Sequence, residues 1–508
     1  MPGRSIGVVI RGVTRDRVGV VLGPVVFAVQ YLFTPIEMPL EASAVFAGTL
    51  WIAIWWVTEA VPIPVASLLP IVLFPLTGVV TVAEATTPYG DPIVFLLLGG
   101  FLIALSVERW NLHERLALVV ITVVGFSSKR LVLGFMVATA FLSMWISNTA
   151  TAMMMVPIGA AVIGQFSALS RTGVPESSLE AVERIVRPPD RDPESLPATN
   201  FGLALMLGIA YGASIGGAAT LIGSPPNAIF AGVAESALGV RIGFLDWMLF
   251  AAPVSAIFLL LAWAFVVTML PPEVRTVDGG KDVVRDRLEE LGEMTTGERR
   301  TLLVFGLVVA GWLTRPFVLE PIAPAMTDTI IALIGAILLF IIPVDPEERT
   351  FLLDWRTTAR LPWGVLVLLG AGFSIANAFQ SSGLDRWIAD IVGGITGLSV
   401  LVVLLIVATV VVFLTEVNSN TATASVFIPI MVGVGYALGV PPIALMAITA
   451  LVASYAFMLP VATPPNAIVF GSGYMTVPQM ARVGVWLNIL GVVLATAATY
   501  LWLPVALG

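Results

Sequence analysis

The chain reads as an all-α polytopic membrane protein: about eleven transmembrane helices plus two re-entrant hairpins, in two inverted repeats. Three observations carry that reading. The 508 residues are 58% hydrophobic and only 11% charged, whereas soluble domains carry roughly 25% charge, so this chain could not clothe a soluble surface. Apolar runs of about 20 residues, enough to cross a bilayer, recur along it. And two of these runs share one polar interruption. Phe141-Leu-Ser-Met-Trp-Ile-Ser-Asn-Thr-Ala-Thr-Ala152 aligns without a gap on Phe413-Leu-Thr-Glu-Val-Asn-Ser-Asn-Thr-Ala-Thr-Ala424, and both run on to Pro-Ile pairs at 157–158 and 429–430.

The elements follow in order. Arg4, Arg11, Arg15 and Arg17 precede the apolar run Val18–Phe33. No small-residue cleavage site follows that run, so it reads as a retained first span, 18–34, with a cytoplasmic N-terminus. Further spans are expected at 42–58, 62–80, 93–107, 200–238, 248–270, 301–320, 326–343, 361–381, 441–475 and 482–506. The stretches 131–166 and 400–437 are too long for one helix and too short for two crossings. Each reads as a hairpin that turns at its Ser-Asn-Thr tip and leaves on the side it entered, which buried backbone at that depth permits. Loop charge agrees with this count. Lys129, Arg130, Arg171, Arg184, Arg187, Arg191, Arg275, Lys281, Arg285, Arg287, Arg299, Arg300, Arg349, Arg356 and Arg360 all fall on the N-terminal side. The opposite loops are poorer in base, Arg241 and Arg386 excepted. The C-terminus is then expected outside the cell membrane.

The repeat extends beyond the tips. Gly223-Ser-Pro-Pro-Asn-Ala-Ile229 recurs as Ala462-Thr-Pro-Pro-Asn-Ala-Ile468. The order of tip, then broken helix, holds in both halves, and five crossings per half invert the second against the first. The expected organisation is a tail and first span, 1–41; a first repeat, 42–270, with hairpin 131–166 and broken helix 200–238; a cytoplasmic linker, 271–300, read as a solvated helix; and a second repeat, 301–508, with hairpin 400–437 and broken helix 441–475.

Four polar breaks then carry the chemistry. Ser147 and Thr149, Ser419 and Thr421, Ser224 and Thr463 read as N-caps of helices starting at the breaks. Four helix N-termini meeting at the midplane would favour an anion. No Lys, Arg or His lies in 141–158, 211–232, 413–431 or 455–474. A multiply charged anion there needs counter-charge. Freed carbonyls with Ser, Thr and Asn oxygens would hold small cations, and sodium suits this set because no carboxylate cluster exists for calcium. Glu416 is the only acid in these segments. It reads as a proton or cation site, or as a hydrogen-bond cap of the second hairpin.

Composition also excludes classes. The chain has no cysteine and one histidine, His113, in the charged stretch Glu108–Arg115. With no nucleophile–base pair, metal cluster or cofactor motif at the midplane, an enzyme is not expected. A channel would need a continuous polar pore, and nothing suggests a nucleic-acid partner. Gly99-Gly100 and Gly216-Gly217 read as packing sites, and Trp51, Trp55, Trp56 and Trp502 as interfacial anchors.

On its paired Ser-Asn-Thr and Pro-Pro-Asn motifs the chain resembles the divalent anion/sodium symporter family, over nearly its whole length. The resemblance implies a homodimer of scaffold and moving transport domains, working as an elevator. It implies a first sodium site at Ser143, Ser147, Asn148 and Gly223, and a second at Thr415, Asn418, Asn420 and Ala462. Asn418 departs from the small residue expected at that place. Substrate would touch Ser147, Asn148, Thr149 and Ser224 from one half, and Ser419, Asn420, Thr421, Thr463 and Pro464 from the other. The expected function is sodium-coupled symport of a C4 dicarboxylate such as succinate, malate or fumarate, with sodium ions co-transported and no organic cofactor. Symport of sulfate or another divalent anion, and dicarboxylate exchange, are the alternatives.

Overall fold

A computed structural model describes residues 15–34, 38–171, 199–273, 280–394 and 397–507, without the side chains of Arg15 and residues 165–171. The basic residues Arg4, Arg11, Arg184, Arg187, Arg191 and Arg275, which entered the charge argument, lie outside them.

Among the described residues the chain is helical apart from one two-stranded antiparallel ribbon, Pro343–Asp345 with Thr350–Phe351. The helices are α1 Arg15–Leu32, α2 Leu40–Thr58, α3 Ile63–Ala66, α4 Leu69–Leu76, α5 Val82–Thr86, α6 Pro92–Arg109, α7 Leu112–Val124, α8 Ser128–Ser143, α9 Asn148–Arg171, α10 Asn200–Gly217, α11 Pro225–Leu238 and α12 Phe244–Met269. Then follow α13 Gly280–Leu291, α14 Thr296–Thr314, α15 Glu320–Ile322, α16 Asp328–Ile341, α17 Trp363–Ser382, α18 Leu384–Val392, α19 Val400–Thr415, α20 Asn420–Leu438, α21 Pro442–Ala453, α22 Pro464–Gly471, α23 Val477–Leu501 and α24 Leu503–Ala506.

Eight helical stretches among the described residues are long and apolar enough to cross a membrane. Seven coincide with expected crossings, and the eighth is α20, the second arm of the second Ser-Asn-Thr segment. The expected span 62–80 is instead two short helices, α3 and α4. Pro70, in the first turn of α4, explains the break after Ala66, because proline withholds a donor and stops a preceding helix. α16 has only 14 residues, about 21 Å at 1.5 Å per residue, which is shorter than the hydrocarbon core. α5, α7 and α18 were not foreseen as separate elements.

In the segment 271–300, α13 exposes Lys281, Asp282, Arg285, Asp286, Arg287, Glu289 and Glu290 to solvent and buries Val284. α13 docks on α7, with Arg287 Nε 2.5 Å from Glu114 Oε1 and the Arg115 guanidinium on the Leu291 carbonyl, and Arg115 Nε also lies 2.7 Å from Glu298 Oε1 of α14. The next helix starts at Thr296, inside the expected linker, behind a Thr295–Glu298 capping box. Trp56 is not an interfacial anchor either. It is buried, and its indole N–H donates to Ser67 Oγ at 3.1 Å.

Two packing relations position the breaks. α8 lies along α10, and α21 lies against both α19 and α20. The halves also exchange helices. α11, the Pro-Pro-Asn helix of the first half, packs on α20 and α21. Its counterpart α22 packs on α9 and α10.

Candidate functional site

Each Ser-Asn-Thr segment is a helix–break–helix. α8 stops at Ser143 and α9 starts at Asn148, while α19 stops at Thr415 and α20 starts at Asn420. Thr149 and Thr421 are therefore first-turn residues, and the cap positions belong to Ser147 and Ser419. Ser147 Oγ accepts from Ala150 N at 3.2 Å. Ser419 makes no such side-chain bond, so its hydroxyl stays available. At the broken helices, Thr463 Oγ1 accepts from Asn466 N at 3.2 Å, whereas Ser224 Oγ is bonded across to Ser454 Oγ at 3.0 Å.

One cavity of about 880 Å³ joins the four breaks. Ser147, Asn148, Thr149, Gly223, Ser224, Ser419, Asn420, Thr421, Ala462, Thr463 and Pro464 all line it. Four helices, α9, α11, α20 and α22, present their N-terminal turns to it, so their free N–H groups and dipoles favour an anion. Glu59, Glu108 and Arg360 also line it, and Arg360 is its one basic side chain among the described residues. Arg360 is paired with Glu108 at 3.4 Å.

Behind the lining, each tip asparagine is fixed by a hydroxyl from the preceding helix. Ser143 Oγ donates to Asn148 Oδ1 at 2.5 Å, and Thr415 Oγ1 donates to Asn420 Oδ1 at 2.7 Å. Oxygens crowd both places. A Cβ on Gly223 would stand 2.6 Å from the Gly217 carbonyl oxygen and 2.9 Å from that of Ser143. A Cβ on Gly217 would stand 2.3 Å from Asn148 Oδ1. At the second tip Thr415 has one proton for two acceptors, Asn420 Oδ1 and the Ala453 carbonyl at 3.0 Å. Clusters with more lone pairs than protons suit a hard cation. Asn418 sits differently: its Oδ1 accepts from Ser419 N at 2.9 Å and its Nδ2 faces Thr423 Oγ1 at 3.4 Å. Its side chain is occupied within its own turn, which leaves its main-chain carbonyl as what it could offer a cation.

Several residues that shape the site were not singled out from sequence. The Pro-Pro-Asn asparagines clamp the broken backbones. Asn227 Nδ2 reaches the carbonyls of Gly217, Ala218 and Thr220, the shortest at 2.7 Å, and Asn466 Nδ2 reaches those of Ala456 and Leu459 at 3.0 Å. Thr220 Oγ1 donates to the Met144 carbonyl at 2.5 Å and accepts from Gly223 N at 3.1 Å. Gly217, taken as a packing glycine, is the space that Asn148 occupies. Glu416, which the sequence did single out, is buried and accepts from the main-chain N–H groups of Phe457, Met458 and Leu459 and from Asn488 Nδ2.

The family model and the curated relatives agree on one family. Residues 17–507 match the model described as the sodium:sulfate symporter transmembrane region. The chain is 42% identical over 496 residues to the sodium-dependent dicarboxylate transporter SdcS of Staphylococcus saprophyticus, covering 97% of this chain and 92% of that one. It is 40% identical to SdcS of Staphylococcus aureus strain USA300, with the same coverage. Among solved structures it is similar in fold to MtrF of Neisseria gonorrhoeae, with TM-score 0.53, 15% identity and 83% of each chain covered. It is likewise similar to the YdaH transporter of Alcanivorax borkumensis, with TM-score 0.51, 13% identity, and 86% of this chain and 90% of that one covered.

Proposed function

We propose the function from one premise: this chain belongs to the sodium:sulfate symporter family. It is a secondary active transporter, not an enzyme, that carries a C4 dicarboxylate such as succinate, malate or fumarate together with sodium. The observation that carries this reading is the shared cavity. Hydroxyls, amides and helix N-termini from both halves face one space, and the breaks themselves bring no basic side chain to it. A solute with two anionic ends fits two tips, one carboxylate to Ser147–Thr149 with Ser224 and the other to Ser419–Thr421 with Thr463 and Pro464.

Sodium supplies the missing positive charge. The first ion is held by Ser143, Ser147, Asn148 and Gly223. The second is held by Thr415, Asn420, Ala462 and the Asn418 carbonyl. Oxygen crowding behind each tip supports this assignment, as does the sodium dependence in the names of the relatives. Binding of sodium first would order the tips before the anion arrives. The two tip segments are re-entrant hairpins of two inverted repeats, and the protein works as a homodimer by an elevator movement in the cell membrane, N-terminus inside and C-terminus outside.

The test is uptake of labelled succinate into proteoliposomes with and without an inward sodium gradient. Sodium-driven accumulation is expected, and equal uptake without sodium would discard the coupling. Because the family description names sulfate, competition by unlabelled sulfate against succinate in the same assay decides between the two anions. Dependence on internal substrate would mark an exchanger.

A further inference from the structure

The two broken helices are not equally long. Between α10 and α11 the non-helical stretch is the seven residues 218–224, and between α21 and α22 it is the ten residues 454–463. Extra unwound backbone inside a protein leaves N–H groups that must find acceptors. Three consecutive ones, on Phe457, Met458 and Leu459, find the Glu416 carboxylate, at 2.7, 2.9 and 3.0 Å. Asn488 Nδ2 adds a fourth donor at 2.7 Å, and Asn488 Oδ1 accepts from Phe457 N at 3.3 Å. The first tip has Met144 at the corresponding place, and there only a main-chain carbonyl meets the break, through Thr220. The carboxylate is therefore an adaptation of the second half alone.

We propose that Glu416, steadied by Asn488, is the positioning residue of the second sodium site and sets its affinity. This rests on the reading of Thr415, Asn420 and Ala462 as that site. Glu416 directly follows Thr415, so it joins the end of α19 to the unwound strand. The strand then relays the restraint: Leu459, held by Glu416, accepts through its carbonyl from Ala462 N at 3.2 Å and from Asn466 Nδ2 at 3.0 Å. Glu416 thus fixes where Ala462 stands relative to Thr415. Its charge acts in the same direction, because 413–431 and 455–474 hold no basic residue and an anion beside a cation site strengthens it. The first site has neither restraint nor charge of this kind.

The experiment is a sodium titration of succinate uptake by the full-length protein and by Glu416→Gln and Asn488→Ala. For Glu416→Gln the sodium concentration for half-maximal uptake should rise at least tenfold, while the succinate half-saturation at saturating sodium moves less than threefold. Asn488→Ala should shift the sodium curve the same way by about threefold, since the carboxylate keeps its three backbone donors. Sodium-dependent thermal stabilisation of the purified proteins should shift in parallel. A merely structural role predicts less active protein with an unmoved sodium half-saturation, and that result overturns the assignment. If Glu416→Gln does not fold, Asn488→Ala decides by the same criterion. Uptake independent of sodium in the unaltered protein would overturn the coupling itself, and this assignment with it.

Discussion

The two tips share a motif and a bond but are braced by different means. In each, a hydroxyl five residues earlier holds the asparagine oxygen, Ser143 on Asn148 and Thr415 on Asn420. Around the first, close backbone approach does the bracing. Gly216 lies against the backbone of Ala140, Gly217 yields its Cβ space to Asn148, and Thr220 links the two polypeptide breaks. Around the second, the unwound strand is longer, and a buried carboxylate gathers it. Duplicated ligand chemistry is thus compatible with unrelated supports. The groups that would meet the solute are constrained in common, whereas what holds them needs only to satisfy the local backbone.

The comparison can be broken most directly at the shared bond. Asn148→Ala and Asn420→Ala should each lower sodium-driven succinate uptake about 100-fold or more, with expression and monodispersity unchanged, because each removes hydrogen bonds to charged ligands. Normal uptake by either would remove that tip from the site. The next effect separates the halves. Gly217→Ala places a methyl 2.3 Å from Asn148 Oδ1 and should reduce uptake about tenfold, as overpacking costs about 1–3 kcal/mol. Ala456→Gly, at the residue whose carbonyl takes Asn466 Nδ2 as that of Gly217 takes Asn227 Nδ2, should stay within about twofold in uptake and cost only about 1 kcal/mol of stability by thermal denaturation. Equal effects would mean the tips are braced alike.

Smaller effects sharpen the contrast. Thr220→Val strands the Gly223 N–H and the Met144 carbonyl, a loss of about 1–3 kcal/mol. It should raise the sodium half-saturation several-fold, and Thr220→Ser should restore it. Asn418→Ala should change the sodium curve by less than about twofold, since that side chain serves its own turn, with hydrogen bonds worth about 1 kcal/mol. A tenfold shift would return the Asn418 amide to the ligand set.

Much of this was legible in the sequence because the constraint is periodic or repeated. The crossings follow from long apolar runs, and the lining residues follow from a motif written twice in one chain. α3 and α4 escaped because mean apolarity conceals what one proline, Pro70, does to a helix. The Glu416–Asn488 clamp escaped for another reason. Glu416 stood out as the one acid among the broken segments, but its partner Asn488, a lone asparagine in the apolar helix α23, lies 72 residues away. Gly217 looked like any packing glycine, because a residue that makes room leaves no mark of what fills it. The three-residue excess in the second break is visible only when helix ends are known.

The exchange of helices between halves has a mechanical consequence. α11 sits among the second half's helices and α22 among the first's, while Ser224 bonds Ser454 and Tyr211 Oη bonds the Phe457 carbonyl. A pair of jaws hinged at the midline would have to tear these buried links at every turnover. The cradle is instead laced shut along its own seam, so cargo is better delivered by shifting the whole basket than by prising its two walls apart.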